Sequence, residues 1–313
     1  MMSGSDISIL GLFITALSFF GVALYAFIRQ KDLHRTTRNS SILFYMVIGI
    51  SLAFAAINIS SLASKIPHNL QTNLSANVDL VIQYSSILVQ SALIVILFAN
   101  KIIVQSRTRP GRVLAVGAHP DDIEIAAGAT LSKMRDAGYQ ITGLVMTCGE
   151  KGGRAEARPK EAKSGGEFVG LDNVQVLSFT DTRLSADMVK ITEAIHSLIE
   201  KIQPDIIFTH SVHDLHQDHQ TVYDATLRAA HLFRTTILCY ESPSVTEDFH
   251  PTYFIDVEKY VNVKIHAIRK HWDQHKKPYT KANLVRGKLA YRGAQANVDF
   301  AEGFEVARMI SAI

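Results

Sequence analysis

Three uncharged apolar stretches in the first hundred residues constrain the fold of this chain more than any other feature. They cover residues 7–28, 41–62 and about 80–100, and none contains Asp, Glu, Lys or Arg. At about 1.5 Å per helical residue, a run of roughly 20 residues crosses the roughly 30 Å hydrocarbon core of a bilayer. The pattern predicts three transmembrane α-helices in a membrane region over residues 1–100, although helices buried in a core or lying at a membrane interface have similar compositions.

The segments flanking these stretches carry unequal positive charge. Residues 29–40 hold four Lys or Arg, residues 65–78 hold only Lys65, and residues 101–112 hold four again. Because the basic side normally faces the cytoplasm, we expect the N-terminus outside and everything after residue 101 in the cytoplasm. The first stretch lacks the basic start of a cleavable signal peptide, so we expect it to remain as a span.

Charge and cysteine content limit the possible partners of the remaining residues. After residue 100 the chain has 27 Lys or Arg and 26 Asp or Glu. This balance gives no electrostatic reason to expect a nucleic-acid partner. The two cysteines, Cys148 and Cys239, lack metal-ligand spacing and are too few for a disulfide framework.

From Arg112 onward, short β-rich runs alternate with helical stretches. Alternation at this spacing predicts an α/β domain over residues 112–313, with a parallel sheet covered by helices on both faces. Residues 101–111 form the predicted linker. The predicted strands are 112–117, 141–147, 174–179, 205–209 and 236–240, and the predicted helices are 123–137, 156–169, 186–202 and 218–233. A basic helical segment near residues 259–275, with His266, His271 and His275, is predicted to lie at the surface.

The first polar cluster is AHPDDIE, residues 118–124, directly after the first predicted strand. His119 and Asp122 lie three residues apart across a turn stiffened by Pro120, so both can reach one cation. Asp121 then remains available as a base. The alternative is that the aspartates only cap the following helix, but capping needs one Asp and no His.

The second polar cluster follows the fourth predicted strand, with histidines at positions 210, 213, 216 and 219. Ligands bind beyond the carboxyl ends of parallel strands, so we expect the two clusters to meet and the imidazoles of His119 and His219 to share one ion. His216 is predicted as an acid or oxyanion stabiliser, and Asp218 as the carboxylate that holds an imidazole in one tautomer. His213 and Asp214 are weaker candidates for contact with metal or substrate. A solvated histidine-rich loop is the alternative.

Two histidines and one carboxylate leave open coordination positions on a metal ion. Zinc held this way binds water, lowers its pKa to about 7 and polarises a carbonyl group. Non-haem iron oxygenases use the same three ligand types. Asp121 beside the ligands favours hydrolysis, because a hydrolytic site needs a base for water, while Fe²⁺ stays possible as the ion.

Taken together, three motifs resemble those of the PIG-L/LmbE family of metal-dependent N-deacetylases. They are AHPDDIE at 118–124, TCGEKGG at 147–153 and HQDH at 216–219, and the resemblance covers roughly residues 112–313. It implies a Rossmann-like, mostly parallel sheet, usually zinc, and hydrolysis of the linear amide C–N bond of an N-acetylglucosamine-type sugar. By motif position it implies that His119, Asp122 and His219 hold the metal, that Asp121 is the general base, and that His216 is the acid or an electrostatic stabiliser.

The chain departs from the family pattern in two places. Gln217 stands where the family commonly has Pro, and Val212-His213-Asp214 stands where glycine-rich versions are common. Both changes leave the metal ligands intact and bear on the shape of the substrate.

Weaker candidates for substrate contact lie in two other loops. Arg154 and Arg158 flank the glycine-rich loop after the second strand and could clamp phosphate or hydroxyl groups, or could simply be solvated. Asp181, in the turn after the third strand, could bind a sugar hydroxyl or serve only the turn. The GEKGG loop lacks the Lys-Ser/Thr order of a P-loop, so we expect no nucleotide.

The spans and the site together predict a multi-pass membrane protein with a cytoplasmic, zinc-dependent N-deacetylase domain. The expected substrate is an N-acetylated sugar or glycolipid, and the expected partner of the spans is membrane lipid, because a soluble substrate needs no anchor. Two alternatives stay open at this point. One is a hydrolase of another N-acyl small molecule, and the other is a non-catalytic membrane protein that binds a metal or a sugar.

Overall fold

The computed structural model of the chain describes residues 4–28, 30, 40–63, 73–99 and 111–310. These residues belong to two compact units, one within residues 1–103 and one within residues 104–313. The predicted loop at 29–40 and the predicted linker at 101–111 fall almost entirely outside the described residues, as do residues 65–72 of the second predicted loop, whereas its residues 73–78 belong to a helix. The orientation deduced from their charges therefore stays a prediction.

The first unit contains three long helices: α1 Gly4–Ile28, α2 Ser40–Ala63 and α3 Asn73–Ala99. Each contains a stretch long and apolar enough to cross a membrane, at Ile9–Ile28, Phe44–Ala63 and Val78–Val95. Phe19, Val47 and Leu93 pack in the core of the unit, whereas Phe27 and Leu88 are exposed. An exposed apolar surface of this kind is expected of side chains that face lipid.

Polar side chains join the three helices. The interhelical hydrogen bonds are Ser18 Oγ to Gln90 Oε1 (2.9 Å), Asn58 Nδ2 to Ser86 Oγ (2.9 Å) and Ser61 Oγ to Asp79 Oδ1 (2.7 Å). Asp79 bounded the third apolar stretch in the sequence, but it lies inside α3 and inside the candidate span. Its buried carboxylate is accommodated there because it accepts the hydrogen bond from Ser61 of α2.

The second unit is built on a seven-stranded sheet in the order β3-β2-β1-β4-β5-β7-β6. The first five strands pair in parallel, and β7 runs antiparallel between β5 and β6. The strands are β1 Arg112–Gly117, β2 Gln140–Thr147, β3 Asn173–Phe179, β4 Ile206–Thr209, β5 Thr236–Tyr240, β6 Tyr253–Asp256 and β7 Ala301–Arg308. The helices are α4 Asp122–Asp136, α5 Arg158–Val169, α6 Met188–Ile202, α7 Gln217–Ala230, α8 Val261–Ile268 and α9 Ala282–Ala296.

Apolar side chains of β1 point alternately to the two faces of the sheet, which explains why helices cover both faces. Val113 and Ala115 point to the side packed by α4, α5 and α8. Leu114 and Val116 point to the opposite side, which α6 and α7 cover. The prediction of a mostly parallel sheet with helices on both faces is therefore confirmed. The strand order makes β1 and β4 neighbours, so the loops that follow them emerge side by side where the winding direction reverses.

The structure corrects the sequence analysis after residue 240. Strands β6 and β7 and helix α9 were not predicted, and His271, predicted at the surface, is only 1% exposed. Strand β7 buries Glu302, whose charge is offset by an ion pair with Lys264 of α8. His271 is buried because it lies beside Glu124 of α4, with Nε2 3.3 Å from Oε2. These charged pairs join residues distant in sequence, so the local pattern does not reveal them.

Candidate metal and catalytic site

A cavity of about 420 Å³ opens at the carboxyl ends of the parallel strands. The loops after β1, β2, β3 and β4 all contribute to it, together with residues that follow β5. Its volume is in the usual range for a small-molecule site. The lining residues used below are His119, Asp121, Asp122, Lys151, Gly152, Arg158, Asp181, Thr182, His216, His219, Ser244, Lys277 and Tyr279.

The three predicted metal ligands meet at the base of this cavity. His119 Nδ1 lies 3.2 Å from His219 Nε2 and 3.5 Å from Asp122 Oδ2, and His219 Nε2 lies 3.6 Å from Asp122 Oδ1. Ligands about 2.0–2.1 Å from a tetrahedral zinc ion stand roughly 3.3–3.4 Å apart. The spacing of the two imidazole nitrogens and the two oxygens of the Asp122 carboxylate therefore fits one zinc-sized ion, and the two imidazoles are close enough to share it.

Hydrogen bonds orient both imidazoles toward the shared point. His219 Nδ1 lies 2.8 Å from Asp214 Oδ2, so its proton is held there and Nε2 is left to bind a metal. His119 Nε2 lies 3.2 Å from Asp181 Oδ1, which leaves its Nδ1 free in the same way. Buried carboxylates thus fix the tautomer of each histidine that would bind the ion.

The negatively charged carboxylates around His119 also favour the binding of a cation at this point. Burial alone would lower the pKa of His119, but Asp122, Asp181 and Asp218 raise it well above its ordinary value. For Asp122, burial acts to raise the pKa, but the neighbouring histidines, above all His219, hold it well below its ordinary value. A metal ion bound here would supply the positive charge that the carboxylates otherwise draw onto an imidazole. The donor set, its spacing and its charge all fit a divalent ion.

Two other groups of His and Asp come close enough to be compared with this one. They are His119, His216 and Asp218, and His210, Asp214 and His219. In the second group, the carboxylate of Asp214 already accepts hydrogen bonds from His219, Ser242 and Ser244. In the first, Asp218 accepts two backbone N–H groups. Both oxygens of Asp214 and of Asp218 accept hydrogen bonds. Asp122 accepts the backbone N–H of His119 at Oδ2, and its Oδ1 faces His219 Nε2, so the group of His119, Asp122 and His219 is the best candidate.

Asp121 occupies the N-cap position of α4, but its side chain makes no capping hydrogen bond. Instead its Oδ1 lies 2.9 Å from Nη2 of Arg158. Burial raises the pKa of Asp121, while the charge of Arg158 acts in the opposite direction. A buried carboxylate with a raised pKa beside the ligand group suits a base that accepts a proton from water.

His216 lies on the other flank of the ligand group and caps the N-terminus of α7. Its ring stands 4.8 Å from that of His119 and 4.6 Å from that of His219, measured between centroids. Its Nδ1 accepts a hydrogen bond from the backbone N–H of Asp218, so a neutral His216 carries its proton on Nε2. Burial and the neighbouring histidines lower its pKa. The lowered pKa favours the neutral imidazole, which donates from Nε2, over the imidazolium.

Asp218 holds the turn that carries Asp181. Its carboxylate accepts the backbone N–H groups of Thr182 (2.7 Å) and Leu184 (3.2 Å) and also lies 3.4 Å from His119 Nε2. Thr182 has a φ of 67°, a left-handed conformation that is costly for a β-branched residue. The imidazole that Asp218 approaches is thus that of His119, and its hydrogen bonds stabilise the strained turn.

The predicted substrate contacts divide into two groups. Arg158 and Asp181 line the cavity and are buried. Arg154 and His213 lie outside the lining. Arg154 is exposed and pairs with Asp273, with Nε 3.1 Å from Oδ1, and His213 pairs with Glu305 at 2.8 Å.

Some residues of the site were missed or underrated in the sequence. His210 is fully buried, stacks on His219 with centroids 3.8 Å apart, and accepts the N–H of Ala118 at Nε2. Burial, with repulsion from His219, lowers its pKa to about 4. Its position directly after β4 was the available signal. Lys277 and Tyr279 come from a segment in which the sequence shows no motif.

This chain, with its α/β sheet and its ligand group of two histidines and one carboxylate, is similar in sequence to known proteins. The family model described as PIG-L: GlcNAc-PI de-N-acetylase matches residues 114–230. The "uncharacterized deacetylase YaiS" of Escherichia coli is 34% identical over 176 residues, which cover 54% of this chain and 95% of that protein. The diacetylchitobiose deacetylase of Thermococcus kodakarensis is 26% identical over 187 residues, covering 52% of this chain and 70% of that protein. The chain belongs to the PIG-L family of deacetylases.

Among solved structures, the 4-carboxy-2-hydroxymuconate hydratase GalB of Pseudomonas putida has a similar fold. The TM-score is 0.57 at 20% identity, and the match covers 65% of this chain and 99% of that chain. At this identity the likeness concerns the fold alone. A hydratase on this fold also means that the reaction must be argued from the residues of the site.

Proposed function

We propose that this protein is a membrane-anchored N-deacetylase that removes the acetyl group from an N-acetylglucosamine-type, lipid-linked sugar. Its membership in a deacetylase family supports the reaction class. The single observation that carries the proposal is the convergence of His119, Asp122 and His219 on one point, with Asp121 and His216 on either side. Zinc is the proposed ion, and ferrous iron is the alternative that the same donors accept.

In the proposed mechanism, a divalent ion held by His119, Asp122 and His219 would polarise the acetyl carbonyl and lower the pKa of a water molecule. Asp121 accepts the proton of the attacking water, and Arg158 stabilises the carboxylate form of this base. His216 donates its Nε2–H to the oxygen on which negative charge develops. A proton then reaches the departing amine, and Asp121, protonated in the first step, is its proposed source.

The anchor and the lipid-linked substrate form the second part of the proposal. The three apolar helices are each long enough to cross a bilayer, and an enzyme acting on a water-soluble sugar has no need of them. The basic segments in the sequence favour a cytoplasmic active site and an external N-terminus.

Acetate release from purified full-length protein tests the reaction. The protein is extracted in neutral detergent, stripped with a chelator, reloaded with zinc or ferrous iron, and assayed on N-acetylglucosamine glycolipids. Asp121→Asn should reduce acetate release by about 10²–10⁴-fold while the bound metal is retained. Asp224→Asn, an exposed change on α7, serves as the matched control and should keep full activity. Activity that survives Asp121→Asn, or that persists without metal, would contradict the proposal.

A further inference from the structure

Three cationic residues line the cavity near Gly152, of which Arg158 is buried whereas Lys151 and Lys277 reach solvent. A β-carbon built on Gly152 would stand 2.9 Å from Nη1 of Arg158 and 3.7 Å from Nζ of Lys277. The loop after β2 and the segment before α9 therefore bring positive charges to one place, although they are far apart in sequence.

Only one of these cations is neutralised by a carboxylate. Arg158 is paired with Asp121. In the part of the chain that the structure describes, neither Lys151 nor Lys277 forms an ion pair, whereas the neighbouring Arg154 is paired with Asp273. The ammonium of Lys277 stands 5.8 Å from the ring centroid of Tyr279, a cation–π contact that places no negative charge beside it.

The carboxylates that line the cavity do not pair with these two lysines, because each carboxylate contacts a different side chain deeper in the cavity. Asp122 and Asp181 lie against the imidazole of His119, and Asp121 lies against Arg158. The cavity thus has an acidic floor, matched to a metal ion and a base, and a positively charged mouth. A substrate that fits both ends carries its acetamido group inward and negative charge outward.

We infer that Lys151 and Lys277 bind a phosphate group attached to the N-acetylated sugar. This inference rests on the proposed deacetylase function and specifies its substrate class. Lysine binds phosphate as a point charge, and two ammonium groups without a carboxylate partner can offset the charge of either a phosphodiester or a phosphate monoester. Lys277 lies outside residues 114–230, so the family match does not assign this contact.

The same chemistry can come from two sources, a soluble sugar phosphate or the phosphodiester of a lipid-linked sugar. Metal-loaded full-length protein in neutral detergent is therefore assayed for acetate release on four substrates. They are N-acetylglucosamine 1-phosphate, its lipid phosphodiester, methyl N-acetylglucosaminide and a neutral N-acetylglucosamine glycolipid. At low salt, kcat/KM should be about tenfold or more higher for each phosphate-bearing substrate than for its neutral counterpart. Comparison of the two phosphate-bearing arms identifies the source.

Lysine variants show whether this preference arises at the cavity mouth. The double variant Lys151→Gln/Lys277→Gln should reduce the preference to about twofold or less, and added salt should weaken it in the wild type. Lys201→Gln is the matched control, because Lys201 is exposed near the end of α6, before β4 begins and hence at the opposite edge of the sheet. It should keep the full preference. A preference that survives in the double variant would overturn the inference.

The remaining outcomes separate this inference from the proposed function. Equal kcat/KM on charged and neutral substrates overturns the inference and leaves the deacetylase function intact. Absence of acetate release from all four overturns the function. If no acetate is released, calorimetry on chelator-treated protein tests the phosphate contact by measuring the affinity for each ligand. Chelation removes any metal that could itself attract phosphate. N-acetylglucosamine 1-phosphate should bind about tenfold tighter than the methyl glycoside, and equal binding overturns the inference.

Discussion

The guanidinium of Arg158 lies 2.9 Å from the carboxylate of Asp121, and both side chains are buried. Arg158 also donates from Nη1 to the backbone oxygen of Gly149 at 2.8 Å. Because Gly149 has a φ of 68° and its β-position lies against this guanidinium, the glycine is needed there. Arg158 therefore links the proposed base to the glycine-rich loop.

Arg158→Gln should lower kcat/KM and move its acidic limb to higher pH. Burial raises the pKa of Asp121 and Arg158 opposes that rise, so removal of the guanidinium raises the pKa further. The carboxylate form is then lost at a higher pH, and activity at about pH 6 should fall more than activity at about pH 8. A pH–rate profile measures the shift. Arg154→Gln, exposed and outside the cavity lining, is the control, and an unmoved limb in Arg158→Gln would argue against Asp121 as the base.

Asp214→Asn should weaken metal binding by about 10–100-fold, because Asp214 fixes the tautomer of His219. Competition with a chelating dye measures the affinity. Asp248→Asn, an exposed change in a loop, should leave the affinity unchanged. If Asp214→Asn binds zinc as tightly as the wild type, His219 does not depend on this carboxylate for its orientation.

Metal should stabilise the folded catalytic unit. Free zinc at 100 times its Kd adds about 2.7 kcal/mol to the free energy of unfolding when only the folded state binds it. Thermal unfolding of chelated and zinc-loaded protein should therefore differ in Tm for the wild type. The difference should be lost in His219→Ala, which removes one donor atom. An equal Tm increase in both proteins would mean that zinc binds elsewhere.

Two helical glycines should respond oppositely to alanine. A β-carbon at Gly165 of α5 would stand 2.7 Å from Nε2 of His271 and 2.8 Å from Oε1 of Glu124, both buried. Gly165→Ala should therefore lower the free energy of unfolding by about 1–3 kcal/mol. Gly287 of α9 has nothing within 4 Å, so Gly287→Ala should raise it by about 0.5–1 kcal/mol. Chemical denaturation measures both, and a neutral Gly165→Ala would mean that His271 and Glu124 can move.

The parallel part of the fold and the meeting of the two polar clusters could be predicted because both depend on local patterns. The strand that ends at Gly117 and the strand that ends at Thr209 are read from short apolar runs, and parallel strands bring their following loops to one edge. Once the loop containing His119 and the loop containing His219 share an edge, their imidazoles can come close enough for a common ion to be proposed.

The parts that could not be predicted depend on pairs of residues distant in sequence. Arg158 reaches Asp121 across 37 positions, and the tautomer of His119 depends on a hydrogen bond to Asp181, 62 positions away. Burial of Lys264 becomes tolerable only when Glu302 of β7 is beside it. A local sequence pattern shows residue types and their spacing, but it does not show which buried charged residues form ion pairs with each other.

The segment between β5 and β7 supplies the outer wall of the cavity, including Ser244, Lys277 and Tyr279, whereas the ligand group comes from the loops after β1 and β4. Part of the wall that faces the proposed substrate is thus encoded in a different segment from the residues that would hold the metal ion. Exchange of this segment among related enzymes offers a route to new sugar specificities without rebuilding the reaction centre, both in evolution and in protein engineering.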